Sequence, residues 1–298
     1  MACVIESPKS ESRVIVESCD KVSSFKCMYM CITWVYDDAL MTMMGTSTAT
    51  ATTAHLLDDN GVILLEASNG VLTLLMDRGP NVVNPSLISS LSKAVSIVEQ
   101  KDHPKSLVIT AVGKFFSNGL DLTYMQSHSG PESTKMIESF WRLLARILVL
   151  NCRTVAAFNG HAFGAGLFLG LACDFRVMRT QRGYLNFPEL NLGMRLAKGF
   201  AELIKAKVCS PLVWREGVLT GKRYSSGDAL QAGLIDQECN VNDLISVANE
   251  LAVAGFADNL GAEFFDAENF RIMKIELYTD AYRALTLGMV ESLPQSRL

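Results

Sequence analysis

The chain has 298 residues, 49% hydrophobic and 19% charged, enough to bury a large core in one or two domains. Its formal charge of -4 leaves no diffuse basic field for nucleic acid or an anionic membrane surface, so an anionic ligand has to be held by a local cluster. No apolar run approaches the roughly 20 residues that span a bilayer, and the apolar stretch 27–36 follows Glu6, Glu11, Glu17 and Asp20, unlike a signal or transit peptide.

Residues 1–58 are rich in Cys, Met, Ser and Thr, lack sustained periodicity and include the low-complexity run 45–54. They read as a poorly ordered extension, or as a gene-model artefact upstream of a start at Met41, Met43 or Met44. The eight cysteines show no pairing pattern, which suits a reducing compartment. Cys27 and Cys31 stand close together, but neither a second close pair nor a nearby histidine completes a zinc set, and no metal site is expected.

From Gly61 the pattern sharpens. Runs 62–67 and 71–77 are β-rich and flank Ser68-Asn69-Gly70, a tight-turn signal. Asn84 is placed to cap, and Pro85 to open, a helix whose apolar positions Leu87, Ile88, Leu91, Val95 and Val98 recur at helical spacing. A buried strand is expected over 106–112. A second cycle follows, with a helix over 133–150, a strand over 154–158, a helix over 165–172, and strands over 175–178 and 184–187. Apolar helical faces then occupy 196–208, 227–232, 242–256 and 266–287, so the fold class is α/β with a helical C-terminal part. Trp141 and Trp214 sit on such faces and read as packing residues.

Two turns join strand to helix through small residues. One is Gly113-Lys-Phe-Phe-Ser-Asn-Gly-Leu-Asp-Leu122 and the other Asn159-Gly-His-Ala-Phe-Gly-Ala-Gly-Leu-Phe168. Such turns leave backbone N–H groups unpaired at a helix start, where the dipole also favours negative charge, and two of them converging make an oxyanion hole. Either turn alone is a weak signal, and Gly164 and Gly166 could serve helix packing only. Glu189, in Phe187-Pro-Glu-Leu-Asn-Leu-Gly193, could be a surface or capping acid. Its apolar neighbours Phe187, Leu190 and Leu192 point instead to a desolvated carboxylate with a raised pKa, suited to a general base.

These motifs resemble the crotonase (enoyl-CoA hydratase/isomerase) superfamily over roughly residues 61–290. Phe115-Phe-Ser-Asn-Gly-Leu-Asp-Leu122 is similar to its Phe-Ser-Ala-Gly-x-Asp-Leu segment, and Asn159 to Asp174 to its Gly-rich stretch ending in Cys-Asp. The resemblance implies a crotonase-like spiral of ββα units, with a core over 59–255 and a C-terminal helical region over 256–298. It implies oxyanion donors at the N–H groups of Asn118 and Ala165, and a base at Glu189. Ser117, Gly119, Leu120, Asp121, Leu122, Gly164 and Phe168 become substrate-binding positions, and Lys114, Arg271 and Lys274 become candidates for CoA phosphate.

Hydratases of the family use two glutamates, and Phe168 holds the position of the first, so water activation is disfavoured. Gly113-Lys-Phe-Phe-Ser-Asn-Gly, Met178-Arg-Thr-Gln-Arg-Gly183 and Glu189-Leu-Asn-Leu-Gly193 are similar to the plant-type peroxisomal delta-3,delta-2-enoyl-CoA isomerases. The expected activity is migration of the double bond of a 3-enoyl-CoA to the 2-position in fatty-acid β-oxidation, with no cofactor beyond the CoA of the substrate. Other family chemistry, such as hydration or thioester hydrolysis, stays open, as does a silent acyl-CoA-binding scaffold. The family also implies a homotrimer or dimer of trimers. Ser296-Arg297-Leu298 is a conservative variant of the peroxisomal address, which implies an import receptor as partner and the peroxisome as location. His161 is expected to be a positional residue beside the second turn. If Arg195 faced Glu189, it would lower that carboxyl's pKa.

Overall fold

The computed structural model describes residues 51–58, 61–240, 242–255 and 264–288. Cys27, Cys31, the first part of the low-complexity run and Ser296 to Leu298 lie outside the described residues. Residues 51–58, grouped above with the extension, are instead a strand, β1 (Ala51–Asp58), paired antiparallel with β2 (Val62–Ala67). An edge strand needs backbone pairing along one side only. It therefore forms here with little apolar content, Leu57 being its buried contribution to the core.

The expected hairpin forms at Ser68-Asn69-Gly70, joining β2 to β3 (Val71–Met76). Gly70 has φ +82°, and a Cβ there would lie 2.3 Å from the Pro104 carbonyl oxygen. Asn84 accepts from Leu87 N at 3.0 Å and opens α1 (Pro85–Gln100), whose buried face includes Leu87, Ile88, Leu91, Val95 and Val98. Buried Lys105 closes the other end of α1, donating to the carbonyl oxygens of Val98 (2.8 Å), Glu99 (3.2 Å) and Lys101 (2.7 Å).

Three times the chain then lays one strand in a large sheet and the next in a small one. These pairs are β4 (Ser106–Ala111) with β5 (Phe115–Ser117), β6 (Arg153–Phe158) with β7 (His161–Phe163), and β8 (Phe175–Arg179) with β9 (Leu185–Asn186). Helices α2 (Leu122–Ser127) and α3 (Gly130–Leu148) follow β5, and α4 (Ala165–Leu171) follows β7. With β10 (Arg223–Tyr224) and β11 (Gln237–Cys239), the large sheet runs β1-β2-β3-β4-β6-β8-β11 and the small one β10-β9-β7-β5. From β3 to β11 the large sheet is parallel. The repeats fold tightly back on each other at their corners. A Cβ on Gly160 would lie 2.1 Å from the Lys114 carbonyl oxygen, and one on Gly183 would lie 2.5 Å from Gly160 C.

The parallel strands read as continuous apolar runs because both faces are covered. Leu107, Ile109, Ala156 and Phe158 face the main core with α1 and α3. Val108, Val155 and Val177 face Leu244, Ala248 and Ala252 of α7 (Leu244–Gly255). Helices α5 (Lys198–Lys207) and α6 (Ser226–Gln231) come before α7. The periodic run at 266–287 divides at Tyr278 into α8 (Ala267–Leu277) and α9 (Thr279–Leu287).

Lys274 fastens α8 to the core. It is buried, and its Nζ donates to Asp174 Oδ2 at 2.7 Å and to the Cys152 carbonyl oxygen at 2.9 Å. Asp174 also accepts from Thr154 N at 2.8 Å and Thr154 Oγ1 at 3.0 Å. The assignment of Lys274 to CoA phosphate is therefore corrected, since its ammonium is buried and bonded inside the protein. Lys274→Ala, which leaves Asp174 without its counter-charge, is expected to lower stability by about 3–5 kcal/mol in urea unfolding. A loss near zero would show that the pair only offsets its own desolvation.

Candidate active site

The turns after β5 and β7 meet at one cavity of about 200 Å³, whose lining includes Gly119, Leu120, Gly164, Ala165 and Glu189. Gly119 makes the approach possible. Its φ is +89°, and a Cβ there would lie 2.8 Å from the Phe163 carbonyl oxygen and 3.7 Å from Ala165 N. On the other side, a Cβ on Gly166 would lie 2.5 Å from the Ser117 carbonyl oxygen, so the start of α4 packs directly on β5.

Backbone pairing decides which amides face this cavity. Asn118 N donates to the Pro80 carbonyl oxygen at 2.9 Å, so the expected donor at Asn118 is corrected: its N–H is already used. Val83 and Leu120 form a parallel bridge, in which Val83 N donates to Gly119 O at 2.8 Å and Asp121 N donates to Val83 O at 3.0 Å. That bridge turns the N–H of Leu120 away from Val83. Leu120 lines the cavity, and its N–H has no acceptor among the described residues. Ala165 is the first residue of α4, where an N–H has no intrahelical acceptor, and it lines the same cavity.

Ser117 and Asp121 serve the turn rather than the cavity. The Ser117 hydroxyl donates to the Asn81 carbonyl oxygen at 2.7 Å and accepts from Gly119 N at 3.3 Å. Asp121 caps α2 by accepting from Tyr124 N at 3.0 Å, and it also accepts from Asn84 Nδ2 at 3.2 Å. Both substrate-binding assignments are corrected accordingly. Gly119, Leu120, Leu122 and Gly164 do line the cavity.

Glu189 sits at the start of a 3-10 turn, Leu190–Leu192, closed by Gly193 with φ +63°. Its carbonyl accepts from Leu192 N at 3.2 Å and Met194 N at 2.8 Å, which fixes the backbone under the carboxylate. Oε2 is buried without a hydrogen-bond partner, and Oε1 lies 3.6 Å from the Cβ position of Gly164. Burial pushes the carboxyl above its ordinary range, opposed by a hydrogen bond from its own backbone N–H. The apolar neighbours that suggested burial act unequally: Phe187 is buried, while Leu190 is 56% exposed and Leu192 49% exposed. Arg195 lines the cavity and is exposed, and it forms no ion pair with Glu189.

Phe168 does not line the cavity. It is wholly buried, stacked on Phe200 at 4.1 Å and tilted against Phe187 at 5.6 Å, so its assignment as a substrate contact is corrected. Phe200, which no motif marked, is the ring that reaches the cavity wall, together with Ile137 of α3. His161 accepts from Tyr184 N at 3.1 Å and packs among Phe115, Phe163 and Tyr184, outside the cavity. Burial, and then Lys114, Arg223 and Arg182, push its imidazole pKa down. Lys114 is exposed, its Nζ 5.4 Å from the Phe115 ring centroid. Arg271 lines a different cavity of about 510 Å³, bounded by α3 and α9. The acid there, Glu99, is held by Arg146 at 2.7 Å.

The fold and this cavity define an α/β protein in which one desolvated carboxylate faces two unpaired backbone amides. The enoyl-CoA hydratase/isomerase family model matches residues 66–263. Enoyl-CoA delta isomerase 3 of Arabidopsis thaliana is 34% identical over 206 residues, covering 68% of this chain and 84% of the relative. The peroxisomal enoyl-CoA delta isomerase 2 of the same plant is 32% identical over 219 residues, covering 70% and 88%. A crystal structure of a probable enoyl-CoA hydratase from Mycobacterium tuberculosis superposes with TM-score 0.68 at 25% identity, covering 77% of this chain and 93% of that one. The chain belongs to the enoyl-CoA hydratase/isomerase family, within the crotonase superfamily.

The raised pKa of Glu189 has a sign in stability. A carboxyl that binds its proton more tightly when folded is neutral in both states below the unfolded value of 4.5, and costs stability as pH rises through the folded value. Glu189→Gln is therefore expected to melt above wild type at about pH 8, the gap closing as pH falls towards about 4. Equal melting temperatures across that range would show that the carboxylate is not desolvated.

Proposed function

We propose that this protein is a delta-3,delta-2-enoyl-CoA isomerase. The observation that carries the reading is Glu189, the one carboxylate among the described residues that line the cavity, its Oε2 buried without a partner, beside the two unpaired amides of Leu120 and Ala165, with an aromatic ring at 168 where a hydratase of the family has a second acid. In the proposed reaction the thioester oxygen of a 3-enoyl-CoA accepts from Leu120 N–H and Ala165 N–H. Glu189 takes a proton from C2, and the electron pair of that C–H bond spreads over a dienolate whose charge rests on the held oxygen. The protonated Glu189 then delivers the same proton to C4, and the double bond ends between C2 and C3. A raised carboxyl pKa suits both halves of this shuttle, since the group has to accept and return a proton.

The two Arabidopsis isomerases support the reading by name, and the one named peroxisomal supports a peroxisomal location. Lys114 is the cation retained for CoA phosphate. The family trimer is retained as the assembly, with exposed Ile272, Met273 and Leu277 on α8 as apolar surface available to it.

Wild type incubated with a trans-3-enoyl-CoA is expected to form the conjugated 2-enoyl thioester, followed by its ultraviolet absorbance. Glu189→Gln is expected to lose on the order of 10² to 10⁴ in kcat. Hydration of a 2-enoyl-CoA is expected to be feeble, because no second acid positions water. Robust 3-hydroxyacyl-CoA formation, or full isomerase activity in Glu189→Gln, would overturn the mechanism.

A further inference from the structure

The cavity has an open end and a closed end. At the open end stand Asn118 and Arg195, both exposed, and Leu122, 39% exposed. At the closed end stand Ile137, Ala197 and Phe200, all buried. A thioester whose oxygen is held at Leu120 and Ala165, with its bulky CoA towards solvent, directs its acyl tail at that closed end. The ring it meets there is Phe200.

Phe200 has no room to retreat. Phe168 stacks on it with ring centroids 4.1 Å apart and planes at 14°, and Trp141 meets it edge-on at 5.6 Å and 81°. Both backing rings are fully buried. The backbone beside it is equally confined, since a Cβ on Gly199 would lie 2.8 Å from Trp141 Cδ2. Displacing the ring would mean repacking three aromatic side chains in a close-packed interior, a cost that offsets what a few further methylenes return.

We propose that Phe200 is the chain-length stop of the acyl pocket, held in place by Phe168 and Trp141, and that the site selects short acyl chains. The cavity is small, about 200 Å³, and the side chains at its buried end leave it no extension beyond Phe200. The inference rests on the acyl-thioester reading above and adds the substrate length to it. A tail that left through the open end past Leu122 would not sense Phe200, and chain length would then have no effect.

The test is kcat/KM for 3-hexenoyl-, 3-octenoyl- and 3-dodecenoyl-CoA with wild type, Phe200→Ala and Ile137→Phe. Wild type is expected to prefer the hexenoyl thioester to the dodecenoyl one. Phe200→Ala is expected to raise the dodecenoyl-to-hexenoyl ratio on the order of tenfold or more, the gain from burying about two further methylenes. Ile137→Phe, which narrows the same end, is expected to lower the octenoyl-to-hexenoyl ratio. A length-independent wild type, or a folded Phe200→Ala with an unchanged ratio, overturns the stop. Circular dichroism and melting establish folding, and Phe200→Leu carries the same readout should the alanine variant not fold. If wild type isomerises none of the three, the proposed function fails. The stop is then judged by calorimetric binding of hexanoyl-CoA and dodecanoyl-CoA to wild type and Phe200→Ala, where an unchanged affinity ratio overturns it.

Discussion

Backbone contact between the turn after β5 and the turn after β7 is the constraint on which the site depends. The two turns come from successive repeats of the fold, and they touch because Gly119 carries no Cβ against the Phe163 carbonyl and Gly166 carries none against Ser117. A side chain at either position would push α4 off β5. The amides of Leu120 and Ala165 would then no longer share one cavity, and an oxyanion needs donors fixed before its charge develops. The corner at Gly160, packed against Lys114, repeats the same device one step back along the chain, so the alignment of the turns is inherited from the stacking of the repeats.

Once the amides are fixed, the electrostatics of the carboxylate follow from what does not surround it. Glu189 has no cation against it, and its Oε2 finds no donor, so burial alone sets the direction of its pKa. The cations near the core are spent elsewhere: Lys274 on Asp174, Arg176 on Asp236, and Lys105 on the end of α1. Each ties one element to another at a distance from the cavity. These cations are bonded where they hold elements together, while the Glu189 carboxylate in the cavity has no cation against it.

Much of this was legible in the residues. Asn84 and Pro85, the period of α1, the Asn-Gly hairpin and the apolar strands expected over 106–112 and 154–158 carry local signals strong enough to read, and the strands form over Ser106–Ala111 and Arg153–Phe158. Of the small sheet only the strand at Leu185–Asn186 was expected, over 184–187; β5, β7 and β10, two or three residues long, have no period to read. The donor at the first turn was misplaced by two positions for a related reason. Which N–H faces the cavity depends on the pairing of residues 119–121 with Val83, a contact made across the fold and invisible to local pattern. Phe200 escaped notice because a phenylalanine on an amphipathic helix reads as ordinary core; only its place at the end of a cavity distinguishes it.

Phe168 connects the two halves of the argument. Its position on α4 is one turn beyond Ala165, the same distance from the anion-holding amide that an acid would occupy if water were to be activated. Filling that place with an aromatic ring removes an ionisable group. It also supplies the face on which Phe200 stacks and a tilted contact with Phe187, two residues before Glu189. One side chain therefore packs both on the ring at the buried end of the cavity and on the residue that leads into the turn carrying Glu189. A charged residue at 168 would have to be buried against the rings of Phe200 and Phe187, a cost of several kcal/mol if it found no partner. An acid at 168 would accordingly demand that the stacked rings be rebuilt around it, which ties the chemistry available at that position to the shape of the cavity's buried end.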